Sequence, residues 1–516
     1  MPKVMIILTL LCASLVMAGE GLFVQDRLLV RFQAEILDED MDLILFDSGL
    51  TVEKKLVRSL NVWSIHVDLT KFQLHEAKRW LEQQPEVIYV QYDHYLQERL
   101  EPNDPLFSNQ WNFHNTGQGG GVEDADIDAL EAWDITTGGV TALGDSIVAA
   151  VVDNGFDMDH PDLVANIWVN DGDFPNNGID EDFNGYIDDT YGWNAFDSNG
   201  NIPEQSHGTH VAGTIGAHTN NENQVAGINW RIKLMTVAGA STQTSTAMEG
   251  YGYVLDQKLA WIESGGQSGA FVVSTNSSFG IDYADCESGD YPLWNDMYNA
   301  MGSLGILSAA ATANRNVDVD EFGDVPTGCG SSYLIAVTNT TKYDAKTVSA
   351  GWGAESIDLG APGSGVFSTN YYGGSSYKSG TSMASPHVAG AVAFLHAAAS
   401  EEFAQYYLNQ PALASLVMKS IILSTTDSLE SLQDITVSAG RLNLNSAALV
   451  IHNWVQSATG DMNADGDVNV QDLVILINII LDRVEATAEQ EIAADLNSDE
   501  IITVQDLVLL ATLILN

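Results

Sequence analysis

The segment Gly380-Thr-Ser382-Met-Ala-Ser385-Pro-His387-Val-Ala-Gly390 is the most informative part of this 516-residue sequence. We expect a helix to begin at Ser382. The first backbone N–H groups of a helix have no intrahelical partner, and together with the helix dipole they favour an anion that develops beside them. Ser382 is therefore a candidate for acyl-transfer chemistry. The alternative is a plain helix N-cap, a role in which serine is common.

A second segment, Val148-Ala-Ala-Val-Val-Asp153-Asn-Gly, has the pattern of a buried strand that ends in a carboxylate and a turn. Asp153 would then lie at the carboxyl edge of a sheet, where α/β proteins form their sites. Aspartates also cap many strand ends without any chemical role, and that is the alternative for this residue.

A third segment, His207-Gly-Thr-His210-Val-Ala-Gly213, combines histidine with small residues. The small residues allow a helix to lie close to other backbone while it presents His207. A structural or metal-binding role is the alternative, because a pair of histidines is often used in that way.

Short apolar strands alternate with Gly- and Ala-rich helical stretches from about residue 111 to residue 451. The clearest strands are Ile147–Val152, Leu304–Ala311 and Leu334–Val337. This alternation predicts a parallel sheet that is covered by helices.

Together the three segments, in the order Asp, His, Ser, resemble the subtilisin-like serine proteases (subtilases). The resemblance covers roughly residues 100–450 and includes three further landmarks: Trp133-Asp-Ile-Thr-Thr-Gly, His160-Pro-Asp-Leu163 and Gly440-Arg-Leu-Asn443. It implies an α/β domain with a mostly parallel sheet flanked by helices.

The resemblance also implies catalytic roles. Ser382 would attack the peptide carbonyl, His207 would accept its proton, and Asp153 would orient His207. The usual Ala-Ala-Gly-Asn lead-in to the oxyanion-binding asparagine here reads Ala311-Thr-Ala-Asn314. Asn314 is the predicted donor, with Asn316 as the alternative.

A substrate-binding strand is implied by the segment that follows Ala270–Ser274. This segment resembles the family's Ser-Leu-Gly strand, which pairs with extended substrate and forms a wall of the main specificity pocket. Phe279 could equally belong to the core. The predicted substrate-binding residues are Ser277, Ser278, Phe279 and Gly280.

The amino terminus has the pattern of an export signal. Lys3 precedes an apolar run from Val4 to Val16, and Ala18 ends a small-residue cleavage pattern. Residues 19–100 follow, with strand-like, helix-like (around residues 75–81) and again strand-like patterns. In position, size and α+β pattern this unit resembles the subtilase propeptide, cleaved between Glu98 and Gln110. An unrelated binding domain is the alternative.

Charge excludes several classes of partner. The chain carries 20 Lys+Arg and 70 Asp+Glu, a formal net charge of −50. Nucleic acids and anionic membrane surfaces require a basic face, so neither is expected to bind. Residues 19–100 carry 9 basic and 15 acidic side chains, whereas residues 101–516 carry 10 and 55. Such a surplus of carboxylates favours divalent cations. No transmembrane span is predicted.

The last 57 residues contain a repeat: residues 461–472 recur as residues 495–506, and each copy leads into an apolar helix, Leu473–Leu481 or Leu507–Leu515. The spacing of the oxygen side chains predicts two calcium loops. The second loop has Glu500 where the first has the turn residue Gly466, so we expect it to bind more weakly. The predicted ligands are Asp461, Asn463, Asp465, Asp467, Asn469 and Asp472 in the first loop, and Asp495, Asn497, Asp499, Thr503 and Asp506 in the second.

The tandem loops, with aspartate at position 12, resemble a dockerin module. That resemblance implies a cohesin-like scaffold as the partner. Positions 10 and 11 depart from the pattern, because they read Val470-Gln471 and Val504-Gln505 where many cohesin binders carry hydroxyl residues. A calcium-stabilised terminal cap without a partner is the alternative.

A further acidic loop lies inside the subtilase-like region, with Asp180, Asp182, Asn184 and Asp188 as predicted calcium ligands. An ordinary Asn-Gly surface turn is the alternative. Removal of the export signal leaves Cys286 and Cys329, which form either one disulfide or two separate thiols.

The sequence therefore predicts a secreted, calcium-stabilised serine endopeptidase acting on proteins or peptides, extracellular and attached to a cell surface or scaffold. The contrasting hypothesis is a catalytically inactive protease fold that binds through its repeats. The predicted organisation is a signal peptide (1–18), an α+β propeptide (19–100), a peptidase domain (101–450) and a small helical dockerin-like domain (457–516).

Overall fold

The computed structural model describes residues 23–33, 36, 45, 49–71, 73–94, 100–240, 243–454, 460–463, 468–481, 483–484, 486, 490, 493–496 and 501–515. The chain divides into two compact units, within residues 1–98 and within residues 99–516. The predicted signal peptide, residues 1–18, and the predicted ligands Asp465, Asp467, Asn497 and Asp499 lie outside the described residues.

In its described residues, the first unit is an antiparallel sheet with one helix, as the α+β pattern predicts. Its strand order is β2-β3-β1-β4. Helix α1 buries Leu74, Ala77 and Leu81, which recur at helical spacing. The elements are β1 (Phe23–Phe32), β2 (Leu50–Val57), β3 (Val62–Val67), α1 (Leu74–Glu82) and β4 (Val87–His94).

The second unit contains the larger sheet. Its strands are β5 (Val148–Asp153), β6 (Gly192–Asn194), β7 (Lys233–Ala238), β8 (Val272–Ser277), β9 (Ile281–Asp282), β10 (Leu307–Ala311), β11 (Asp324–Val325), β12 (Leu334–Thr340), β13 (Leu359–Pro362), β14 (Val366–Asn370), β15 (Gly374–Lys378), β16 (Asp427–Ser428) and β17 (Gly440–Arg441).

Helices cover both faces of that sheet and continue to the end of the chain. They are α2 (Ala129–Ala132), α3 (Ser206–Gly216), α4 (Thr244–Ser264), α5 (Pro292–Ser303), α6 (Val319–Phe322), α7 (Thr381–Ala398), α8 (Glu401–Asn409), α9 (Pro411–Ser424), α10 (Leu444–His452), α11 (Val470–Ile480) and α12 (Val504–Leu515). Short 3₁₀ turns lie at Phe107–Asn109, Gln118–Gly120, Cys286–Ser288 and Glu430–Leu432.

The sheet has the order β16-β17-β13-β12-β10-β8-β5-β7-β6. All its pairings are parallel except that of β16 with β17. The chain builds β5, β6 and β7 on one side and then crosses to β8 on the other side of β5. A crevice forms at such a reversal, at the carboxyl ends of the strands. The predicted parallel α/β architecture is confirmed.

Strand β5 is buried on both faces, which explains its continuous apolar run. Ala149 and Val151 join one hydrophobic core, which includes residues of α3 and α7. Val148, Ala150 and Val152 join a second core, which includes residues of α4 and α5. Successive side chains of a strand point to opposite faces, so one strand supplies both cores.

The C-terminal repeats form a small helical module around Met462, Leu476, Ala493, Ala494 and Leu510. Both helices begin three residues earlier than predicted, because loop residues cap them. Asn469 accepts a hydrogen bond from the Gln471 N–H, and Asp472 accepts one from the Asn469 N–H, each at 2.8 Å. This reciprocal capping extends α11 back into the loop.

Candidate active site

Asp153 and His207 meet at the carboxyl end of β5. The Nδ1 atom of His207 lies 2.8 Å from Oδ1 and 3.0 Å from Oδ2 of Asp153. Asp153 is 2% exposed, and its Oδ1 also accepts the Asn154 N–H at 2.8 Å. The carboxylate is therefore held by two donors, and it fixes the orientation of the imidazole.

Close approach of two backbones makes this contact feasible. A Cβ atom on Gly208 would lie 2.3 Å from the carbonyl oxygen of Gly155. Only glycine therefore allows α3 to lie this close to the turn that follows β5. The glycine after His207, which the sequence pattern emphasised, is needed for the histidine to reach Asp153.

The electrostatics of His207 follow from opposing contributions. Burial and the charge of Lys378 lower the pKa of the imidazole, but the hydrogen bond that it donates to Asp153 and the negative charge of that carboxylate raise it. The net result is a pKa above the ordinary value of 6.5. Asp153 thus stabilises the protonated form of His207.

Ser382 lies in the first turn of α7, as predicted. Pro386, four residues after Ser382, has no N–H and so leaves the carbonyl of Ser382 without its helical donor. Ser278 supplies the missing hydrogen bond, because its hydroxyl donates to the Ser382 carbonyl at 2.9 Å. The residue that follows β8, Ser278, is thereby tied to Ser382.

The Ser382 hydroxyl itself donates to the carbonyl of Ser278 at 3.4 Å. Within the described part of the chain, no hydrogen bond joins Ser382 to His207. Their supports are nevertheless adjacent, since Val152 pairs with Ser277 in the parallel ladder of β5 and β8. Asp153, His207 and Ser382 therefore share the carboxyl edge of two neighbouring strands.

Asn314 is exposed beside the start of α7. Its Oδ1 accepts the Thr381 N–H at 2.9 Å, so its amide nitrogen remains the outward-facing donor. The alternative residue, Asn316, is engaged elsewhere, because its Oδ1 accepts the indole N–H of Trp352 at 3.1 Å. Of the two asparagines, Asn314 is the one next to Ser382.

The four predicted substrate-binding residues separate into two groups. Ser277 is fully buried, and its hydroxyl contacts that of Tyr251 inside the core. Ser278, Phe279 and Gly280 instead line two cavities. One also contains Asn314 and Ser382, and the other is bounded by α4 and α5.

The other histidines of the two motifs are buried and hydrogen-bonded to backbone. His210 Nε2 lies 3.1 Å from the carbonyl of Ser376, and His387 Nδ1 lies 2.8 Å from that of Met383. Burial lowers the pKa of His210 to about 3 and that of His387 to about 4. Both therefore stay neutral, which suits packing.

Two acidic residues beside Ser382 were missed by sequence reasoning. Asp282 and Asp324 line the same cavity as Ser382 and lie opposite each other in the antiparallel pair of β9 and β11. Nothing local in the sequence relates them. The signal that was available is the cysteine pair, because Cys286 and Cys329 form a disulfide shortly after each acid.

Both repeats of the C-terminal module hold their twelfth-position aspartate in the same way. Asp472 accepts the N–H groups of Met462, Asn463 and Asn469 at 2.8–3.2 Å. Asp506 accepts those of Leu496 and Thr503 at 3.0 and 2.8 Å.

Both of these carboxylates are fully buried, and Asp461 is 8% exposed. These buried oxygen side chains, together with Asn463, suit a hard cation such as calcium. Across the described residues, no three His, Cys, Asp or Glu side chains converge as a metal centre. Several of the predicted ligands lie outside those residues.

The acidic loop of residues 180–188 is divided. Asp180 and Asp182 accept the Asn184 N–H at 3.1 and 3.2 Å. Asp188 faces away and accepts the N–H groups of Asn177 and Gly178 at 2.8–3.1 Å. Asp189, which was not predicted, lies beside the loop instead of Asp188, because its Oδ2 accepts the side-chain amide N–H of Asn184 at 3.1 Å. Burial raises the pKa of Asp189 to about 6.

A profile of the Subtilase family matches residues 144–445, and a profile of the Dockerin type I domain matches residues 459–515. The first match covers more than half of the chain. The chain belongs to the subtilase family. Its last residues match a dockerin type I domain, as the tandem loops predict.

Curated relatives agree with this assignment. The extracellular protease of Xanthomonas campestris pv. campestris is 30% identical over 73% of this chain and 62% of its own. The extracellular basic protease of Dichelobacter nodosus is 28% identical over 73% and 60%, and thermitase of Thermoactinomyces vulgaris is 31% identical over 57% and 85%. The subtilase spans about three-fifths of the first two relatives. None of its described helices is long and apolar enough to cross a membrane.

Proposed function

We propose that this subtilase is a secreted serine endopeptidase that hydrolyses peptide bonds through Asp153, His207 and Ser382. The observation that carries the proposal is the hydrogen bond between Asp153 and His207 at the edge of the sheet where α7 begins with Ser382. An aspartate that orients an imidazole beside a helix-initiating serine is the arrangement that acyl transfer requires.

The reaction begins when a peptide carbonyl approaches Ser382. The hydroxyl turns from the carbonyl of Ser278 to the Nε2 atom of His207, because hydrogen bonds of unliganded active sites often tighten only with substrate. Ser382 Oγ then bonds to the carbonyl carbon, and His207 takes the hydroxyl proton. Asp153 stabilises the resulting imidazolium.

The tetrahedral oxyanion accepts hydrogen bonds from the Asn314 amide and the backbone N–H of Ser382. Each such donor contributes about 2.7–4 kcal/mol to the barrier reduction, because the charge appears only in the transition state. His207 next gives its proton to the leaving amine. Water, deprotonated by the same histidine, then hydrolyses the acyl-enzyme.

Residues 19–100 serve as the propeptide in this proposal, and cleavage between Glu98 and Gln110 releases the mature enzyme. Support comes from the compact α+β unit, which has its own core of Leu28, Val30 and Ile65. A covalently attached folded unit can assist folding and cover the active-site cleft until it is removed.

The C-terminal domain is proposed to fold around calcium. Asp461, Asn463, Asn469 and Asp472 would hold one ion, and Asp495, Thr503 and Asp506 would contribute to the second. When bound, calcium supplies positive charge that offsets the clustered carboxylates. The loop with Asp180, Asp182 and Asn184 is a third candidate, in which Asp189 is better oriented than Asp188.

A cohesin-like scaffold is the proposed partner of this domain, which would attach the secreted enzyme to a scaffold or cell surface. Support comes from two matching apolar positions. Val470 and Val474 on α11 are 61% and 51% exposed, and Val504 and Val508 on α12 are 61% and 59% exposed. Exposed valines in equivalent places suit a repeated binding face.

The test is the full-length protein beside its Ser382→Ala variant. We expect the parent to lose its amino-terminal unit and to cleave casein, and the variant to do neither. Loss of the nucleophile lowers kcat on the order of 10⁶-fold. Ser303→Ala, an exposed serine at the end of α5, is the matched control and should behave as the parent.

If the Ser382→Ala protein matures and cleaves casein as the parent does, the enzymatic proposal is wrong. A folded parent that shows no cleavage of casein, and no reaction with a fluorophosphonate, would favour the inactive binding protein instead.

A further inference from the structure

Two acidic side chains line the cavity next to Ser382. Its lining includes Ser278–Gly280 on one wall, Thr312–Asn314 on another, and the carboxylates of Asp282 and Asp324. The substrate side chain on the acyl side of the scissile bond must enter this cavity if Ser382 is the nucleophile and Asn314 binds the oxyanion, because both residues belong to the same lining.

The carboxylate of Asp324 is held firmly by one oxygen. Its Oδ2 accepts hydrogen bonds from the Ala313 N–H at 3.1 Å, from the Thr312 hydroxyl at 3.3 Å and from the Thr327 hydroxyl. Its other oxygen, Oδ1, is buried and has no hydrogen-bond partner within the described structure. A buried, unpaired carboxylate oxygen is costly unless a ligand completes it.

A second carboxylate makes the buried negative charge of Asp324 still less favourable. Asp282 is the cross-strand neighbour of Asp324, and like charges in that position destabilise a sheet. Burial and, to a smaller extent, the charge of Asp282 raise the pKa of Asp324 to about 7, against the hydrogen bonds that lower it. Arg315 pairs with Asp282 at 2.5 Å and is largely exposed. Among the described residues, no cation pairs with Asp324.

The disulfide keeps the two acids together. Cys286 and Cys329 lie four and five residues after Asp282 and Asp324, and the disulfide joins the segments that carry them. The close approach of these two segments also requires glycine at position 280, since a Cβ there would lie 2.5 Å from the carbonyl oxygen of Val325. The positions of Asp282 and Asp324 in the cavity are therefore fixed by the disulfide and by backbone packing.

We propose that this cavity selects substrates with arginine or lysine on the acyl side of the scissile bond, with Asp324 as the residue that binds the cation. The inference rests on the proposed function. Guanidinium and ammonium groups carry the charge and the N–H donors that Oδ1 lacks. A metal ion fits less well, because no three ligating acids or histidines converge within the described residues.

The test measures kcat/KM of the matured full-length enzyme on peptides that differ only in the acyl-side residue: Arg, Lys, Leu or Glu. We expect Arg and Lys to be preferred over Leu on the order of 10²-fold, and Glu to be the poorest. Asp324→Asn keeps an acceptor for the three Oδ2 donors but removes the charge. It should lower kcat/KM for the Arg peptide on the order of 10²-fold and affect the Leu peptide far less, so that the preference for Arg over Leu is lost.

Two variants sharpen this test. Glu263→Gln removes an equal charge from the exposed face of α4 and should change neither peptide. Arg315→Gln removes the cation that occupies Asp282 and should increase the preference for Arg over Leu. If Asp324→Asn does not fold, as judged by circular dichroism, benzamidine replaces it as the probe. Competitive inhibition of the parent by this amidinium is then expected.

The failures are distinguishable. A matured enzyme that cleaves the Leu peptide at least as well as the Arg peptide, or resists benzamidine, overturns the inference and leaves the proposed function intact. A folded enzyme that cleaves no peptide and does not react with fluorophosphonate overturns the proposed function, and the inference fails with it.

Discussion

In the subtilase domain the fold positions Asp153, whereas in the C-terminal domain Asp472 and Asp506 hold their own loops in place. Asp153 ends a strand that is buried on both faces, and packing decides where its carboxylate lies. Asp472 and Asp506 instead organise their surroundings, because each accepts backbone N–H groups from its own loop. Few apolar residues are buried around them.

This difference separates chemistry from stability. A large two-sided core holds Asp153 whether or not its charge is used, so its replacement should affect catalysis alone. The small core of the C-terminal domain contributes little, so replacement of Asp472 should affect folding alone. The predictions below test that separation.

The largest effect is expected from Asp153→Asn. The amide cannot stabilise the imidazolium of His207, and it favours the wrong tautomer, so kcat should fall about 10⁴-fold. Steady-state kinetics on a peptide measures this loss. The thermal unfolding midpoint should stay close to that of the parent, and a large drop would contradict the view that packing holds this position.

Asn314→Ala should lower kcat about 10²–10³-fold with little change in KM, because the lost hydrogen bond forms only in the transition state. Asn316→Ala is the matched control, since Asn316 bonds to Trp352 and lies outside the cavity. Equal losses in both variants would show that the assignment of the oxyanion donor to Asn314 is wrong.

Asp472→Ala should destabilise the C-terminal domain, because three backbone N–H groups lose their acceptor at a cost of about 1–3 kcal/mol for a buried group. Circular dichroism with and without a chelator measures the effect, and chelation of the parent should unfold residues 457–516. The kcat of the matured enzyme on a short peptide should not change in the variant. Loss of peptide cleavage in Asp472→Ala would show that catalysis depends on the folding of the C-terminal domain, which would contradict this comparison.

The smallest effect concerns pH. His207 must be neutral to accept the proton of Ser382, so kcat/KM should rise with pH as the imidazole loses its proton. The pKa of His207 is raised above 6.5, so this rise should be centred above that value. Asp153→Asn removes the negative charge that raises the pKa of His207, so the pH at which the residual kcat/KM rises should be lower. An unchanged midpoint would contradict the role of Asp153.

Local patterns in the sequence were sufficient for much of the catalytic centre. Asp153 follows a continuous apolar run, and Ser382 begins a helix of small residues, so each could be located from its neighbours along the chain. The repeat of residues 461–472 likewise indicated two matching loops without any knowledge of the fold. Only the starts of α11 and α12 were predicted too late, because side-chain caps extend them.

Other features depend on contacts between distant segments. The bond from Ser278 to the carbonyl of Ser382 exists because Pro386 leaves that carbonyl free, and only the fold brings the two segments together. The pairing of Asp282 with Asp324, and of Cys286 with Cys329, depends on the register of β9 and β11. No local pattern encodes that register.

By itself the sequence determined the order of the proposed catalytic residues, the parallel α/β class and the tandem acidic loops, because helix starts, strand ends and repeats are properties of contiguous residues. Tertiary structure alone decided which carboxylates face the cavity beside Ser382, and which carboxylate oxygen there has no hydrogen-bond partner among the described residues. Charge and burial at that point arise from residues far apart in the chain, and their energies are set only when the chain has folded.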